Sequence, residues 1–185
     1  MKKIVIFASG SGTNAENIIK HFKSTNIGSV VSVFTNNSNA KVIERAKILQ
    51  IPTEIFSKEE LYQSKVLQKL NSLQPDLIVL AGFLLKLPIE IIESYPNAII
   101  NIHPALLPKY GGKGMYGMNV HKAIVENKEK ETGITIHYVN ENYDEGNIIF
   151  QKKVTILITD TPEVVAEKIH ELEQKYFPEV IERLL

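Results

Sequence analysis

Two polar side chains stand where a predicted strand ends. Asn101 and His103 are two positions apart, and Pro104 follows them directly. Side chains at this spacing project from the same face of a β-strand, and the proline ends the strand beside them. An amide donor next to an imidazole suits acyl transfer, because a carbonyl oxygen gains negative charge while a nucleophile loses a proton. A strand end whose Asn and His only hydrogen-bond the loop backbone is the alternative, and it stays open.

One carboxylate is a candidate partner for this imidazole. Asp144 lies in the turn-rich segment 140–146, whereas Asp76 and Asp160, the only other aspartates, stand at ordinary boundaries of predicted elements. Folded over His103, the Asp144 carboxylate would favour the imidazolium and raise the pKa of the ring toward the working pH. Simple turn chemistry, which often places Asp shortly before Gly, is the alternative.

A glycine-rich turn near the start has the spacing of a dinucleotide-binding motif. Gly10, Gly12 and Ala15 follow an apolar run, and this motif accepts alanine at its third position. An NAD site also needs an acidic residue about 20 positions further on, to hold the ribose hydroxyls. The chain has no Asp or Glu between Glu16 and Glu44. The sequence therefore argues against NAD.

The same turn still suits a smaller anion. The backbone amides of Gly12, Thr13 and Asn14 come at a predicted helix N-terminus, where the helix dipole favours negative charge. Ser11 and the side chains of Thr13 and Asn14 add short donors, and Thr13 or Asn14 is expected to cap the helix. The turn thus predicts a site for one phosphate group. A tight turn before a capped helix, with no ligand, is the alternative.

Other catalytic chemistries find little support in the sequence. His103, His121 and His137 are well separated and the chain has no cysteine, so no metal site is predicted. The lack of cysteine also excludes disulfides and a thiol nucleophile. No Gly-x-Ser-x-Gly elbow of a serine hydrolase occurs.

Length and composition indicate one globular, soluble domain over residues 1–185. The chain is 44% hydrophobic and 23% charged, with formal net charge +0, which gives no reason to expect a nucleic-acid partner. Its first apolar run is too short for a signal peptide, and no run approaches the ~18–20 apolar residues of a membrane span. We therefore expect a cytoplasmic protein; monomer and homodimer both remain open.

Apolar runs and helical periodicities alternate along the chain, which predicts the elements that must position these residues. The predicted strands cover 4–8, 30–34, 52–56, 77–82, 98–103, 135–139 and 148–158. The predicted helices begin at 13 or 14 and cover 40–49, 59–73, about 88–93, 120–126 and 162 to the end, with a kink at Pro178. Residues 109–118, rich in glycine, are predicted to be the least structured. The pattern is typical of an α/β fold: a doubly wound, mostly parallel, twisted sheet with helices on both faces and an antiparallel edge.

Several segments together resemble a known family over nearly the whole chain. They are ASGSGTN (8–14), PDLIVLAGF (75–83), NIHPALLPKY (101–110), VHKAI (120–124), TGITIHYV (132–139) and DEGNII (144–149). These segments resemble the phosphoribosylglycinamide formyltransferase family, whose fold is Rossmann-type. The first half of the chain, about 1–100, would then bind phosphate, and the second half, about 101–185, would hold the folate and the catalytic residues.

The resemblance implies a role for each matching residue. Gly12, Thr13 and Asn14 would hold the phosphate of glycinamide ribonucleotide, and Glu173 would contact its ribose. Asn101 would bind the formyl oxygen, His103 would be the general acid, and Asp144 would orient His103 and raise its pKa. The folate site would comprise Leu84, Leu85, Lys86, Leu87, Asn101, Asn140, Glu141, Asn142, Tyr143 and Asp144.

The sequence departs from the family pattern at three places. Leu85 stands where many relatives carry arginine, next to Lys86, and His170 stands where glutamine is common. The glycine-rich loop that contains Lys113 is longer than usual. These departures concern the folate site, the neighbour of Glu173 and the glycine-rich loop itself.

The implied activity is direct formyl transfer from 10-formyltetrahydrofolate to the amine of glycinamide ribonucleotide, in purine synthesis and without a metal. Two enzymes share the Asn-x-His-Pro core. A methionyl-tRNA formyltransferase should carry a basic carboxy-terminal RNA-binding domain, and a 10-formyltetrahydrofolate hydrolase usually has an amino-terminal regulatory domain. A non-catalytic nucleotide-binding module would explain the glycine turn but would leave Asn101, His103 and Asp144 unexplained. Small molecules are thus the expected partners, with neither nucleic acid nor membrane.

Overall fold

The computed structural model describes all residues, 1–185, as one seven-stranded sheet with helices on both faces. The strands are β1 (Lys2–Phe7), β2 (Gly28–Thr35), β3 (Thr53–Ile55), β4 (Leu77–Leu80), β5 (Ile99–His103), β6 (Glu131–Tyr138) and β7 (Ile148–Thr155). The helices are α1 (Thr13–Lys23), α2 (Lys41–Ile48), α3 (Lys58–Tyr62), α4 (Lys65–Leu73), α5 (Ile89–Ser94), α6 (Met118–Glu126) and α7 (Pro162–Leu184). None of the helices is long and apolar enough to cross a membrane.

The sheet has the strand order β3-β2-β1-β4-β5-β6-β7. Strands β1 to β5 pair in parallel, and β6 runs antiparallel to both β5 and β7. This confirms the predicted α/β fold. The order of strands reverses between β1 and β4, and in such sheets the carboxyl ends at the reversal form the ligand crevice.

Alternating side chains of the central strands feed two hydrophobic cores. On β1, Ile4 and Ile6 pack into the core beneath α1, α2, α6 and α7, while Val5 and Phe7 pack into the core beneath α3, α4 and α5. All four side chains are fully buried, as expected for a parallel strand covered on both faces. The central strands are therefore a rigid base for the loops at their carboxyl ends.

The predicted helix 59–73 is wrong, because the structure has two helices there. Ser57 begins α3 with a capping box, in which Glu60 N donates to Ser57 Oγ and Ser57 N donates to the Glu60 carboxylate. Ser64 then adopts φ 63°, a left-handed conformation that a right-handed helix does not continue through. The hydrophobic periodicity continues across this break, which is why the sequence pattern did not show it.

Several predicted strand ends also differ. Strand β4 ends at Leu80 because Gly82 adopts φ 76°, and β7 ends at Thr155 before a turn in which Leu157 N donates to Asp160. Strand β6 begins at Glu131, four residues earlier than predicted, because its pairing with β7 already starts there, with Glu131 opposite Thr155. Pro178 is buried within α7, which continues to Leu184; the predicted kink stays a prediction. The loop between β5 and α6 has no helix or strand, as predicted for that region.

Candidate active site

A cleft of about 830 Å³ lies at the carboxyl ends of β1, β4 and β5. It is lined by the glycine turn 10–14, by residues 80–87 after β4, by residues 101–104 at the end of β5 and by the glycine-rich loop 112–117. Residues 139–144 and one side of α7 complete the wall. Segments from both halves of the chain thus share one cavity.

The pairing of β5 with β6 fixes the environment of Asn101. Asn101 lies opposite His137 in the sheet, and the Asn101 side-chain nitrogen is 3.1 Å from His137 Nε2. His137 Nδ1 is 2.8 Å from the carbonyl oxygen of Tyr138, which can only accept, so Nδ1 carries the hydrogen. His137 Nε2 therefore accepts from Asn101, and this bond orients the amide while leaving its second N–H free.

His103 is 3% exposed and both of its ring nitrogens face protein groups. Nε2 donates to the carbonyl oxygen of Tyr110 at 2.7 Å, and Nδ1 lies 3.5 Å from Asp144 Oδ2. Burial lowers the pKa of His103 below its ordinary 6.5, and this outweighs the opposing effects of the Asp144 charge and the Tyr110 carbonyl. Asp144 thus acts in the predicted direction, but the net pKa is lowered instead of raised because the ring is so deeply buried.

Asp144 is held by groups on three sides. The backbone N–H of Gly112 donates to Oδ2 at 2.9 Å, and Oδ1 lies 3.6 Å from His137 Nε2. Burial raises the pKa of Asp144, but contacts with His137, the charge of His103 and the Gly112 amide outweigh it and leave the pKa below its ordinary value. The carboxylate is therefore ionised at neutral pH. The structure brings together Asn101, His103 and Asp144, which lie far apart in the sequence.

The glycine turn presents unpaired backbone donors to the cleft. The amides of Gly12, Thr13 and Asn14 donate to no protein acceptor, because the hydrogen bonds of α1 begin with Glu16 N donating to Gly12 O. Gly12 adopts φ 73°, and a Cβ there would lie 2.4 Å from Val42 Cγ2, so no larger residue fits this turn. Free amides at a helix N-terminus suit an anion, and the phosphate site stays a prediction.

The expected cap of α1 is wrong. Gly12 occupies the N-cap position without any side-chain hydrogen bond, and Thr13 is already the first helical residue. The side chain of Asn14 is used elsewhere: its amide donates to Glu173 Oε2 at 2.8 Å and its oxygen accepts from Gln174 at 3.0 Å. Only the backbone amide of Asn14 remains for an anion, while its side chain ties the turn to α7.

Glu173 lies on α7 and lines the cleft, and its contact with a substrate ribose stays a prediction. His170 Nδ1 is 3.7 Å from Glu173 Oε2, and this nearby carboxylate raises the pKa of His170 although partial burial opposes it. The His170 side chain is 45% exposed, so solvent screening weakens this pair. A carboxylate and an imidazole therefore lie beside the glycine turn.

The segments predicted for folate lie on the opposite wall. Leu84 to Leu87 line the cleft, as do Asn140, Asn142, Tyr143 and Asp144. Glu141 does not, because its side chain is exposed outside the cavity. Lys86 Nζ lies 5.8 Å from the centroid of the Tyr143 ring, within the range of a cation–π contact that joins the two segments. The wall thus combines three leucines and an aromatic ring with Lys86 and the polar side chains of the 140–144 segment.

The sequence did not predict that most of the histidines line the cleft or that His137 orients Asn101. Four of the five histidines line the cleft, namely His103, His121, His137 and His170. No group of three or more His, Cys, Asp or Glu side chains is arranged to hold a metal ion. The signal for His137 was its position on β6 in the alternating segment Thr135-Ile136-His137, but its role depends on the register with β5.

The fold and the site together define an open α/β protein whose cleft combines the free backbone amides of the glycine turn with an amide–imidazole–carboxylate set. A family model described as formyl transferase matches residues 2–181, and the chain belongs to the formyl transferase family.

Relatives with known names agree with this assignment. The chain is 38% identical over 97% of its length to the chloroplastic phosphoribosylglycinamide formyltransferase of Arabidopsis thaliana. It is 38% identical over its whole length to phosphoribosylglycinamide formyltransferase of Bacillus subtilis (strain 168), of which it covers 95%. The chain spans only 64% of the Arabidopsis thaliana protein and 61% of its Vigna unguiculata counterpart. The crystal structure of glycinamide ribonucleotide transformylase 1 from Geobacillus kaustophilus matches with TM-score 0.91 and 34% identity, covering 100% of this chain and 99% of that one.

Proposed function

We propose that this protein transfers the formyl group of 10-formyltetrahydrofolate to the amine of phosphoribosylglycinamide, a step of purine synthesis. The observation that carries the proposal is the convergence of Asn101, His103 and Asp144 in the same cleft as the free amides of the glycine turn. An anion site alone would suit many ligands. Combined with carbonyl-directed acid–base groups, it suits a phosphorylated amine that attacks an acyl donor.

The amine substrate would lie along the α7 side of the cleft. The amides of Gly12, Thr13 and Asn14 bind its phosphate, and the Glu173 carboxylate accepts from its ribose hydroxyls. Asn14 supports this geometry because its hydrogen bond holds the Glu173 carboxylate in place. The formylfolate would then lie along the opposite wall, formed by Leu84 to Leu87 and the 140–144 segment, excluding Glu141.

His103 and Asn101 supply the chemistry. The free N–H of Asn101 stabilises the oxygen of the formyl group as it gains negative charge during amine attack. His103 Nδ1, unprotonated in the neutral ring, takes up the proton that the amine loses, directly or through one water, and the charge then lies 3.5 Å from Asp144 Oδ2. His103 returns this proton to the departing folate nitrogen. The lowered pKa of the resting ring therefore fits a residue that is first a base and then the predicted general acid.

The single domain over residues 1–185, a monomer or homodimer, and a cytoplasmic location stay predictions. The folate hydrolase, the methionyl-tRNA formyltransferase and the non-catalytic module gain no specific support from the cleft. The Glu173 carboxylate lies next to the glycine turn proposed to bind phosphate. This arrangement favours an amine substrate that carries both a ribose and a phosphate.

The assay combines purified protein, phosphoribosylglycinamide and 10-formyltetrahydrofolate, and follows both tetrahydrofolate release and formylated product. We expect the two to appear in equal amounts and only when the amine is present. Equal consumption of formylfolate without the amine would favour the hydrolase, and binding without turnover would favour the non-catalytic module. As a matched control, the exposed neighbour Glu145 is changed in Glu145→Gln, which should keep the wild-type rate.

A further inference from the structure

One histidine of the cleft has no protein partner. His103, His137 and His170 each contact a carboxylate or a backbone carbonyl, whereas neither ring nitrogen of His121 makes a hydrogen bond. His121 lies in the first turn of α6, is 5% exposed and lines the cleft. Its Nδ1 is fully buried without a partner.

The buried nitrogen determines which form the ring adopts. Burial lowers the pKa of His121 below its ordinary 6.5, with a smaller opposing effect from Glu173, so the ring is neutral at neutral pH. A neutral imidazole carries one hydrogen, and a buried N–H without an acceptor is costly. The hydrogen therefore belongs on Nε2, the nitrogen that keeps access to the cleft. His121 thus presents one N–H donor with no protein acceptor.

The residues around His121 indicate which part of a substrate could accept a hydrogen bond from this N–H. Glu173 and His103 both lie close enough for their charges to act on the pKa of His121. Glu173 stands beside the glycine turn, and His103 stands at the centre of the proposed chemistry. In the proposed binding mode the substrate extends from the glycine turn beside Glu173 to His103, and His121 lines the same cleft as both.

We propose that His121 is a further substrate-binding residue, which donates its Nε2–H to an acceptor oxygen of the amine substrate between its phosphate and its amine. This inference rests on the proposed function, because that function defines the substrate. The glycinamide carbonyl is the oxygen of suitable chemistry in that stretch. A purely structural role explains the site less well, since an apolar side chain of similar size would fill the space without leaving a nitrogen unpaired.

The test compares His121→Leu with His121→Gln. Leucine fills similar space without a donor, and glutamine keeps an N–H near the position of Nε2. For His121→Leu we expect the KM for phosphoribosylglycinamide, and its Kd by calorimetry, to rise about tenfold, the effect of losing one good hydrogen bond. The KM for 10-formyltetrahydrofolate should stay within about twofold, and His121→Gln should recover most of the lost affinity.

Thermal unfolding distinguishes a loss of substrate binding in His121→Leu from a loss of protein stability. Because leucine removes an unpaired buried nitrogen, His121→Leu should unfold at the same temperature as the wild type or higher. The control His21→Leu changes the one histidine outside the cleft, which pairs with Glu182, and should leave both KM values unchanged.

Three results would overturn the inference: an unchanged KM and Kd for the amine substrate in His121→Leu, an equal rise of both KM values, or a lower unfolding temperature with normal binding. If the wild type binds phosphoribosylglycinamide without transferring a formyl group, the proposed function fails while the calorimetry still tests His121. If the wild type does not bind it at all, both proposals fail.

Discussion

At the scale of single residues, the Asp144 carboxylate organises the site. Oδ2 accepts from Gly112 and faces His103, while Oδ1 faces His137, which in turn orients Asn101. One carboxylate thus influences both His103, the proposed proton carrier, and, through His137, Asn101, the proposed donor to the oxyanion. A carboxylate that is only 11% exposed is stable as an anion only while its neighbours remain in place.

We expect His103→Ala and Asp144→Asn each to lower kcat by ~10²-fold or more, because each removes part of the proton-transfer system. In Asp144→Asn, the neutral amide no longer stabilises a protonated His103 at 3.5 Å. The measurement is steady-state kinetics with both substrates saturating. A near-normal rate in either variant, with Glu145→Gln as the reference, would remove that residue from the mechanism.

At the scale of elements, one hydroxyl joins the end of β5 to β6 and β7. Thr135 Oγ1, fully buried on β6, donates to the Ala105 carbonyl at 2.7 Å and accepts from Leu107 N at 3.0 Å and Gln151 Nε2 at 2.9 Å. These bonds fix the chain directly after His103. The position of the imidazole therefore depends on a residue that does not line the cleft.

Thr135→Val keeps the shape of the side chain but leaves these groups without their partner. We expect the free energy of unfolding to fall by about 1–3 kcal/mol, the cost of buried polar groups left unpaired, together with a lower kcat. The control is Thr132→Val on the same strand, since the buried Thr132 makes no side-chain hydrogen bond. Urea unfolding gives the free energy of unfolding of both variants. Equal losses of stability would show that the hydrogen bonds of the Thr135 hydroxyl do not contribute to stability.

The sequence predicted most of this architecture because buried parallel strands are continuous apolar runs. It also placed Asn101, His103 and the glycine turn at the carboxyl ends of strands, where topology brings them together. It could not show the break at Ser64, which is a backbone conformation, or the role of His137, which depends on register between strands. Nor could it show that burial of His103 outweighs the charge of Asp144.

At the scale of the whole molecule, the buried imidazoles link stability to pH. His103 and His121 both have pKa values lowered by burial, so the unfolded chain binds protons that the folded chain does not. Their contribution to stability is fully present above the unfolded pKa of about 6.5 and is lost as the pH falls toward their folded values. His170, whose pKa is raised, acts in the opposite direction, but its exposure weakens the effect.

We therefore expect a smaller free energy of unfolding at about pH 5.5 than at about pH 7.5, where carboxylates with ordinary or lowered pKa values stay ionised. Urea unfolding at both pH values measures the difference. His121→Leu removes one of the two contributing rings, so its stability should depend less steeply on pH. An equal or steeper dependence in this variant would contradict the assignment of His121 as a neutral buried ring.

The crowding of histidines into one cavity also makes the molecule convenient for spectroscopy. Imidazole resonances in a nuclear magnetic resonance spectrum would come almost entirely from the cleft, since only His21 lies elsewhere, paired with Glu182. Tautomer, protonation and ligand contact could then be followed ring by ring in the unmodified protein, with His21 as an internal reference.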